Sequence, residues 1–465
     1  MKRYEAYKSC NIPWIKQIPD HWISQRGKNL FKKEQRAVKD TDEVVTCFRD
    51  GRVTLRKNRR TTGFTEALNE FGYQGIRKGD LVIHVMDAFA GAIGVSDSDG
   101  KGTPVYNVCT PKGDSNNYYY AYALREMARA GFIQSLYRGI RERSSDFRFD
   151  VFARQYLPVP PRDEQDQIVR YLDWQVSKIN RLIAAKRKKI ILLKEWKQRR
   201  ITEVVTHGIT PNVPHRDSGI AWIGAIPAHW HCVALKRCAM VKSGITLGKQ
   251  YPVGTQLVSV PYLRVANVQD GFVSIETVTN LNVTPEEATQ YALPKGCVLM
   301  TEGGDRDKLG RGCVWNSEIE NCIHQNHIFA VTVNDKLLFN KWLEYVSACD
   351  IGRVYFDITA IKTTNLACTN ATKVMTFPIP LPPRDEQERI TNELNRITCK
   401  FNDAQINLEK QIERLQELRT RLISDAVTGQ IDVRSIEIPD DERAEEFAFP
   451  DNMEEESEDI ADEEE

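Results

Sequence analysis

The chain has 465 residues, 41% of them hydrophobic and 28% charged, too long for one core and about right for two or three domains. It holds no run of eighteen uncharged apolar residues, which excludes an ordinary transmembrane helix, and no signal peptide is expected from Met1-Lys2-Arg3-Tyr4-Glu5. The 64 basic and 64 acidic residues cancel, but fifteen acids lie between Asp440 and Glu465 beside one base, Arg443, so residues 1–439 carry +14.

A basic body with an acidic appendix suits a polyanionic partner. The 11 cysteines, scattered from Cys10 to Cys399 without a CxxC pair, argue for a reducing cytoplasm and against a disulfide framework.

In chain order, residues 1–157 open on Trp14-Ile15 and Ile18-Pro19-Asp20-His21-Trp22. Short β-type runs follow at 80–85 and 91–95, punctuated by Gly79-Asp80 and Gly102-Thr103-Pro104, before a helical stretch near 118–130. The pattern predicts an α+β domain with a twisted, mainly antiparallel sheet. Arg52, Arg56, Lys57, Arg59 and Arg60 stand in a polar segment before Gly63, where a loop can follow DNA phosphates, and Thr61 and Thr62 add hydroxyl donors.

Residues 158–209 predict a long helix. Pro160-Pro161 fixes its entry, Asp163 and Glu164 put negative charge at the positive end of its dipole, and Gly208 marks its exit. Between Lys178 and Arg200 this helix carries ten bases and one acid, Glu195, which reads either as a phosphate-facing stripe or as a solvated face.

Residues 210–379 predict a second α+β domain, with strands near 262–265, 297–300 and 328–333 and a helix near 337–349. Its DNA-contact candidates are Lys249, then Arg306, Lys308 and Arg311 in a Gly-rich turn, and Gln325 and Asn326, whose amides offer base-edge donors and acceptors. Residues 380–432 predict a second long helix. Its apolar seam runs 390, 394, 397, 401, 404, 408, 412, 415, 418 and 422, the threes and fours of a coiled coil. Residues 433–465 form an acidic tail expected to be disordered.

The chain repeats itself. Pro158-Val-Pro-Pro-Arg162-Asp163-Glu164-Gln165 returns 222 residues later as Pro380-Leu-Pro-Pro-Arg384-Asp385-Glu386-Gln387, and the Trp/Pro opening returns at Trp222-Ile223 and Ile226-Pro227-Ala228-His229-Trp230. Two echoes in one order predict a tandem duplication. The fold expected is α+β: two globular recognition domains separated by two long antiparallel helices, a coiled-coil spacer with pseudo-twofold symmetry. The doubled box itself, Arg162 to Gln165 and Arg384 to Gln387, reads as helix capping and as a partner-subunit contact.

Reaction machinery is hard to find. Gly244-Ile-Thr-Leu-Gly248-Lys249 falls one residue short of a phosphate loop, no GxGxxG follows a strand, and no Asn-Pro-Pro-aromatic loop occurs. His229-Trp-His231-Cys232 and His324-Gln-Asn-His327 lack a second ligand cluster, so no metal site and no catalytic residue is assigned. Three readings stay open: a bipartite DNA reader, a coiled-coil scaffold without a DNA role, and a self-contained methyltransferase or nuclease, for which only Glu195-Trp196-Lys197 resembles a carboxylate–lysine cluster.

The residues do carry a resemblance. The opening from Trp222 to Trp230, the stretches Leu293–300 and 303–312, and the doubled Pro-Pro-Arg-Asp-Glu-Gln box resemble the specificity subunit of type I restriction-modification enzymes over roughly residues 1–432. The resemblance implies two target-recognition domains, each reading half of a split double-stranded DNA site, and antiparallel helices between them. It implies two modification subunits that bring S-adenosylmethionine and restriction subunits that bring ATP and Mg²⁺-dependent translocation and cleavage, with none of that chemistry in this chain. Two departures stand out: Lys16 where the opening has glycine, and the acidic tail from Pro439.

Overall fold

A computed structural model describes residues 2–59, 71–136, 147–304, 309–310, 312–362 and 367–439. Arg60, Arg306, Lys308, Arg311 and the acidic tail from Asp440 lie outside the described residues. The chain divides into two compact units, residues 1–187 with 409–465 and residues 188–408. Four helices frame them: α1 (Asn117–Arg129), α2 (Arg162–His207), α3 (Asn340–Ala348) and α4 (Arg384–Val427). No described helix is long and apolar enough to cross a membrane.

In the first unit a four-stranded antiparallel sheet is ordered 31–33, 106–111, 81–84, 93–95. Successive side chains of a strand point to opposite faces, and both faces here are covered. Leu81 and Ile83 meet the α1 residues Tyr119, Tyr120, Ala123, Leu124 and Met127. Val82 and Val108 point the other way, onto Val45, Cys47, Val53 and Ile76. This two-sided burial explains why 81–84 reads as an unbroken apolar run rather than an alternating one.

The second unit repeats the arrangement. Its sheet is ordered 239–243, 328–333, 298–301, 312–314, again antiparallel throughout. Numbered along the chain, both sheets run first, fourth, second, third. Val298, Met300 and Val331 face Trp342, Leu343 and Val346 of α3, while Leu299, Cys313 and Ala330 face a separate core around Trp315. A further ribbon, 258–263 with 279–283, pairs in parallel with 323–324. From sequence the two domains look only loosely alike; their shared strand order is carried by short apolar segments with few residue identities in common.

Both long helices begin directly after a Pro-Pro pair, and Gly208 and Gly429, at φ +74° and +72°, take up the left-handed backbone beyond their ends. Within the first unit α2 and α4 run antiparallel: Arg419 donates to Asn180 Oδ1 at 2.8 Å and Lys186 to Gln411 Oε1 at 2.6 Å. Within the second, Lys197 donates to Asn402 Oδ1 at 3.1 Å, and Ile201, Val204 and Val205 share a core with Ile390, Leu394 and Ile397.

Each short helix is tied to a long one by a tyrosine. Tyr122 of α1 donates to Asp173 Oδ1 at 2.9 Å, and Tyr345 of α3 donates to Asn395 Oδ1 at 2.8 Å. Asn395 stands 222 residues after Asp173, so one tie ends on a carboxylate and its counterpart on a neutral amide. Burial pushes the Asp173 carboxyl up to about 6, with the Tyr122 hydrogen bond opposing. The folded state therefore holds this proton over a window in which the unfolded chain, with a carboxyl near ~4, has released it. Stability falls as pH rises from about 4 to 6 and stays reduced above that. Asp173→Asn copies the second unit's tie, keeps the acceptor for Tyr122, and should raise first-unit stability at pH 8 by about 2 kcal/mol with no gain at pH 4. Urea unfolding at the two pH values, followed by hydrogen exchange of α1 amides, measures it.

Candidate nucleic-acid interface

The doubled box works mainly inward. Gln165 accepts from the Asn116 backbone N–H at 2.9 Å and donates to the Pro160 carbonyl at 2.9 Å. Gln387 does the same with Phe339 N–H at 2.8 Å and the Pro382 carbonyl at 2.9 Å. Each glutamine thus holds the start of its unit's short helix against the start of its long one. Glu164 and Glu386 reach the opening segments: His21 Nε2 lies 2.7 Å from Glu164 Oε2, and His229 Nε2 lies 2.9 Å from Glu386 Oε2. All four, Glu164, Gln165, Glu386 and Gln387, are buried in this chain, where the sequence offered them for a partner-subunit contact. Asp163 and Asp385 stay exposed at the first helical turn, and Arg162 and Arg384 bridge to Asp166 and Glu388.

In the first unit the basic candidates ride on a β-hairpin, 45–47 paired with 53–55, whose Val45, Cys47 and Val53 are buried. Inward apolar residues force the turn and the next 3₁₀ turn, 56–58, outward. Arg52 is exposed on the turn, and Lys57 is exposed with its Nζ 2.5 Å from Glu43. Arg56 is half-buried, its Nε 3.4 Å from Thr46 Oγ1. Arg59 is held back, bonded to Asp50 at 2.5 Å and stacked 4.5 Å over the Phe48 ring. The hairpin brings Arg52, Arg56 and Lys57 together; Arg59 braces it.

In the second unit Lys249 pairs with the Glu287 carboxylate, which also accepts from Tyr251 OH at 2.7 Å. The Lys249 and Tyr251 hydrogen bonds hold that carboxyl at about 2. Lys249 therefore anchors its loop with its charge already matched. Gln325 accepts from the Val265 N–H at 3.3 Å, while the Asn326 side-chain amide is half-buried with no hydrogen bond among the described residues. Asn326 sits between Gln325 and His327 in the turn that joins 323–324 to 328–333, and His327 Nδ1 lies 2.5 Å from Glu302 Oε2. The foot of the Gly-rich turn, Gly303–Gly304, pairs with Ala367–Cys368. His324 is buried, and burial pushes its pKa down to about 4. Among the described residues no three His, Cys, Asp or Glu side chains group as metal ligands.

The basic stripe on α2 divides between the units. Lys178 and Arg181 are exposed in the first; Lys188, Lys189, Lys194, Arg199 and Arg200 are exposed in the second, while Lys197 is half-buried against Asn402. Missed from sequence is an apolar surface beside them: Ile191, Leu192 and Trp196 are 58%, 46% and 64% exposed. The signal was present in Ile190-Ile191-Leu192-Leu193, four apolar residues where one seam can use only two.

No family model matches the chain. It is 23% identical over 228 residues to a putative type I restriction enzyme MjaX specificity subunit of Methanocaldococcus jannaschii, covering 47% of this chain and 52% of that protein. It is 20% identical over 282 residues to the type I restriction enzyme StySPI specificity subunit of Salmonella potsdam, covering 59% and 57%. The chain thus spans a little over half the length of the curated relatives it matches. A solved structure described as the structural basis of complex assembly and conformational transition of a type I R-M system shares the fold, with a TM-score of 0.65 and 17% identity over 89% of this chain and 99% of that one.

Proposed function

We propose that this chain, which resembles type I restriction enzyme specificity subunits in sequence and fold, is the DNA-recognition subunit of such a complex and carries no catalysis itself. One observation carries the reading: the same internal framework occurs twice in one chain, with unlike loops on its surface. A shared sheet order, a shared glutamine clamp and a shared tyrosine tie are what folding requires. Differing loops are what reading two different half-sites requires, because base edges specify and phosphates only position.

On this reading Arg52, Arg56 and Lys57 position the first domain on phosphates, and Asn326 reads a base edge from the second. Gln325, Lys249 and Arg59 act as supports. Arg60, Arg306, Lys308 and Arg311 extend the contact set. The two long helices serve as a coiled-coil spacer produced by tandem duplication, and the gap between half-sites follows from their length. Two modification subunits and the restriction subunits are the partners, docking on exposed α2 residues such as Ile191, Leu192 and Trp196. S-adenosylmethionine, ATP and Mg²⁺ reside on those partners, and the complex works in the cytoplasm as a restriction system.

The decisive experiment is purification of the tagged chain from its native host, followed by mapping of methylated DNA. A modification subunit should co-purify, and host DNA should be methylated within one split motif that loses methylation when this gene is deleted. Methylation unchanged by the deletion would sink the proposal.

The acidic tail supplies a second test. With −14 from Asp440 onward against +14 before it, the tail competes with DNA for the basic surface. Removal of residues 440–465 should tighten nonspecific duplex binding several-fold at ~50 mM salt and leave it unchanged at ~500 mM, since the competition is screened over a Debye length. Equal affinities at low salt would assign the tail no such role.

A further inference from the structure

In the second unit Glu302 directly follows strand 298–301, and His327 closes the turn before strand 328–333. The two residues are joined twice. Glu302 N–H donates to the His327 carbonyl at 2.9 Å, and His327 Nδ1 lies 2.5 Å from Glu302 Oε2. The first unit's sheet shows which of these bonds the framework needs. There Val85 N–H donates to the Val105 carbonyl at 2.9 Å, at the same place between the second and fourth strands, one residue beyond the His84–Tyr106 pair as Glu302 and His327 lie one beyond Thr301–Ile328. Two valines make that bond with no polar side chain. The backbone bond therefore belongs to the fold, and the His–Glu side-chain pair is added to it.

The turn that carries His327 is pinned by its backbone. Gln325 N–H donates to the Leu263 carbonyl at 2.9 Å, Asn326 N–H to the Ile245 carbonyl at 3.0 Å, and Ile328 N–H to the Gln325 carbonyl at 2.9 Å. The His327 side chain is nevertheless 53% exposed. A carboxylate only accepts, so the proton between the pair sits on Nδ1. In the neutral ring this leaves Nε2 as an acceptor, its orientation set by the carboxylate behind it. Nε2 has no hydrogen bond of its own among the described residues.

We infer that His327 reads a base edge from the second domain, its Nε2 accepting a hydrogen bond from the exocyclic amine of adenine or cytosine. The inference rests on the DNA-recognition reading above and adds a second reader beside Asn326. Adenine N6 and cytosine N4 are the donors that bases present in the major groove. A phosphate is the wrong partner for this pair, because its oxygens offer no proton and the Glu302 carboxylate repels them. Glu302 acts as the positioning residue that holds the tautomer.

The test starts with sequencing of the methylated motif in the native host. His327→Ala should lower the preference at one base pair of one half-site roughly fivefold or more and leave every other position unchanged. Glu302→Gln, whose amide can donate to Nδ1 and so place the ring proton on Nε2, should relax the same pair. Duplexes carrying the motif are then titrated against the complex purified from that host, with purine replacing adenine or 2-pyrimidinone replacing cytosine at that pair. Loss of the amine should weaken binding by the unaltered complex about fivefold and by the His327→Ala complex hardly at all. A 7-deazapurine at the same pair, which lacks the N7 acceptor, should change neither. Sensitivity to N7 in place of the amine would make Nε2 a donor and overturn the inference, as would an intact preference in either variant. If one variant is inactive the other carries the test; methylation lost at every position in both would make the pair a brace of the fold and overturn the inference as well. Failure of the recognition reading itself looks different, since the motif would then survive deletion of the gene.

Discussion

Replacing residues 222–378 with the corresponding domain of another specificity subunit should change one half of the methylated DNA motif completely and leave the other half and the gap unaltered. The junctions fall at Trp222, in the repeated opening, and after Pro378, the first residue of the 378–381 strand, which pairs with 231–234. The incoming domain must supply a strand to replace 231–234 and a helix start that accepts the Gln387 clamp, which here holds the Phe339 N–H. With that framework met, only reading loops change. Each mismatched base pair costs about 1–3 kcal/mol, so a half-site of three or four altered pairs should cost the chimera at least ~10²-fold in affinity for the parental site. Sequencing of methylated bases in cells making the chimera with its modification subunit reads the result. A motif altered in both halves means that the two domains do not read independently, and the modular account fails.

The long helices were legible because their signals are local and redundant: a Pro-Pro entry, acids in the first turn, an apolar seam and a terminal glycine. The echoed segments were legible because Trp22 and Trp230, and Glu164 and Glu386, are buried, with each glutamate beside a histidine of its unit's opening segment. The shared sheet order was not. Strands such as 81–84 and 298–301 need only be apolar on both faces, so Leu-Val-Ile-His and Val-Leu-Met-Thr do the same work without resembling each other. The candidate interface was read from charge, which cannot tell an exposed cation from one already matched. Arg52 is exposed, whereas Lys57, Lys249 and Arg59 are tied to Glu43, Glu287 and Asp50, pairings that no local sequence pattern reveals. The box was read as helix capping and a partner-subunit contact, and its Glu-Gln half is buried against the opening segments and the starts of the short helices.

Glu164→Ala should destabilise the first unit by about 3–4 kcal/mol, roughly twice the effect of Glu386→Ala on the second, because equivalent carboxylates have unequal partners. Glu164 is 5% exposed and receives three hydrogen bonds: Tyr4 OH at 2.5 Å, Trp22 Nε1 at 3.0 Å and His21 Nε2 at 2.7 Å. Burial and the Glu164 bond push the Tyr4 phenol far up, so it stays a donor at every working pH. Glu386 receives the single bond from His229, and Trp230 Nε1, though buried, has no partner among the described residues. Removing Glu164 therefore strands the Tyr4 hydroxyl and the Trp22 indole N–H, each worth about 1–2 kcal/mol when left unsatisfied in a buried site. The loss should propagate to the chain's other end. Trp22 packs within 3.1 Å of where a Gly429 Cβ would stand, and Asp432 N–H bonds to the Lys2 carbonyl at 2.9 Å. Hydrogen exchange should thus accelerate at 4–22 and 427–433 in Glu164→Ala, with the second unit unaffected. Glu164→Gln, which retains an acceptor for one donor, should recover part of the stability. Equal losses at Glu164 and Glu386 would mean that the carboxylate's charge, not its count of buried donors, sets its contribution.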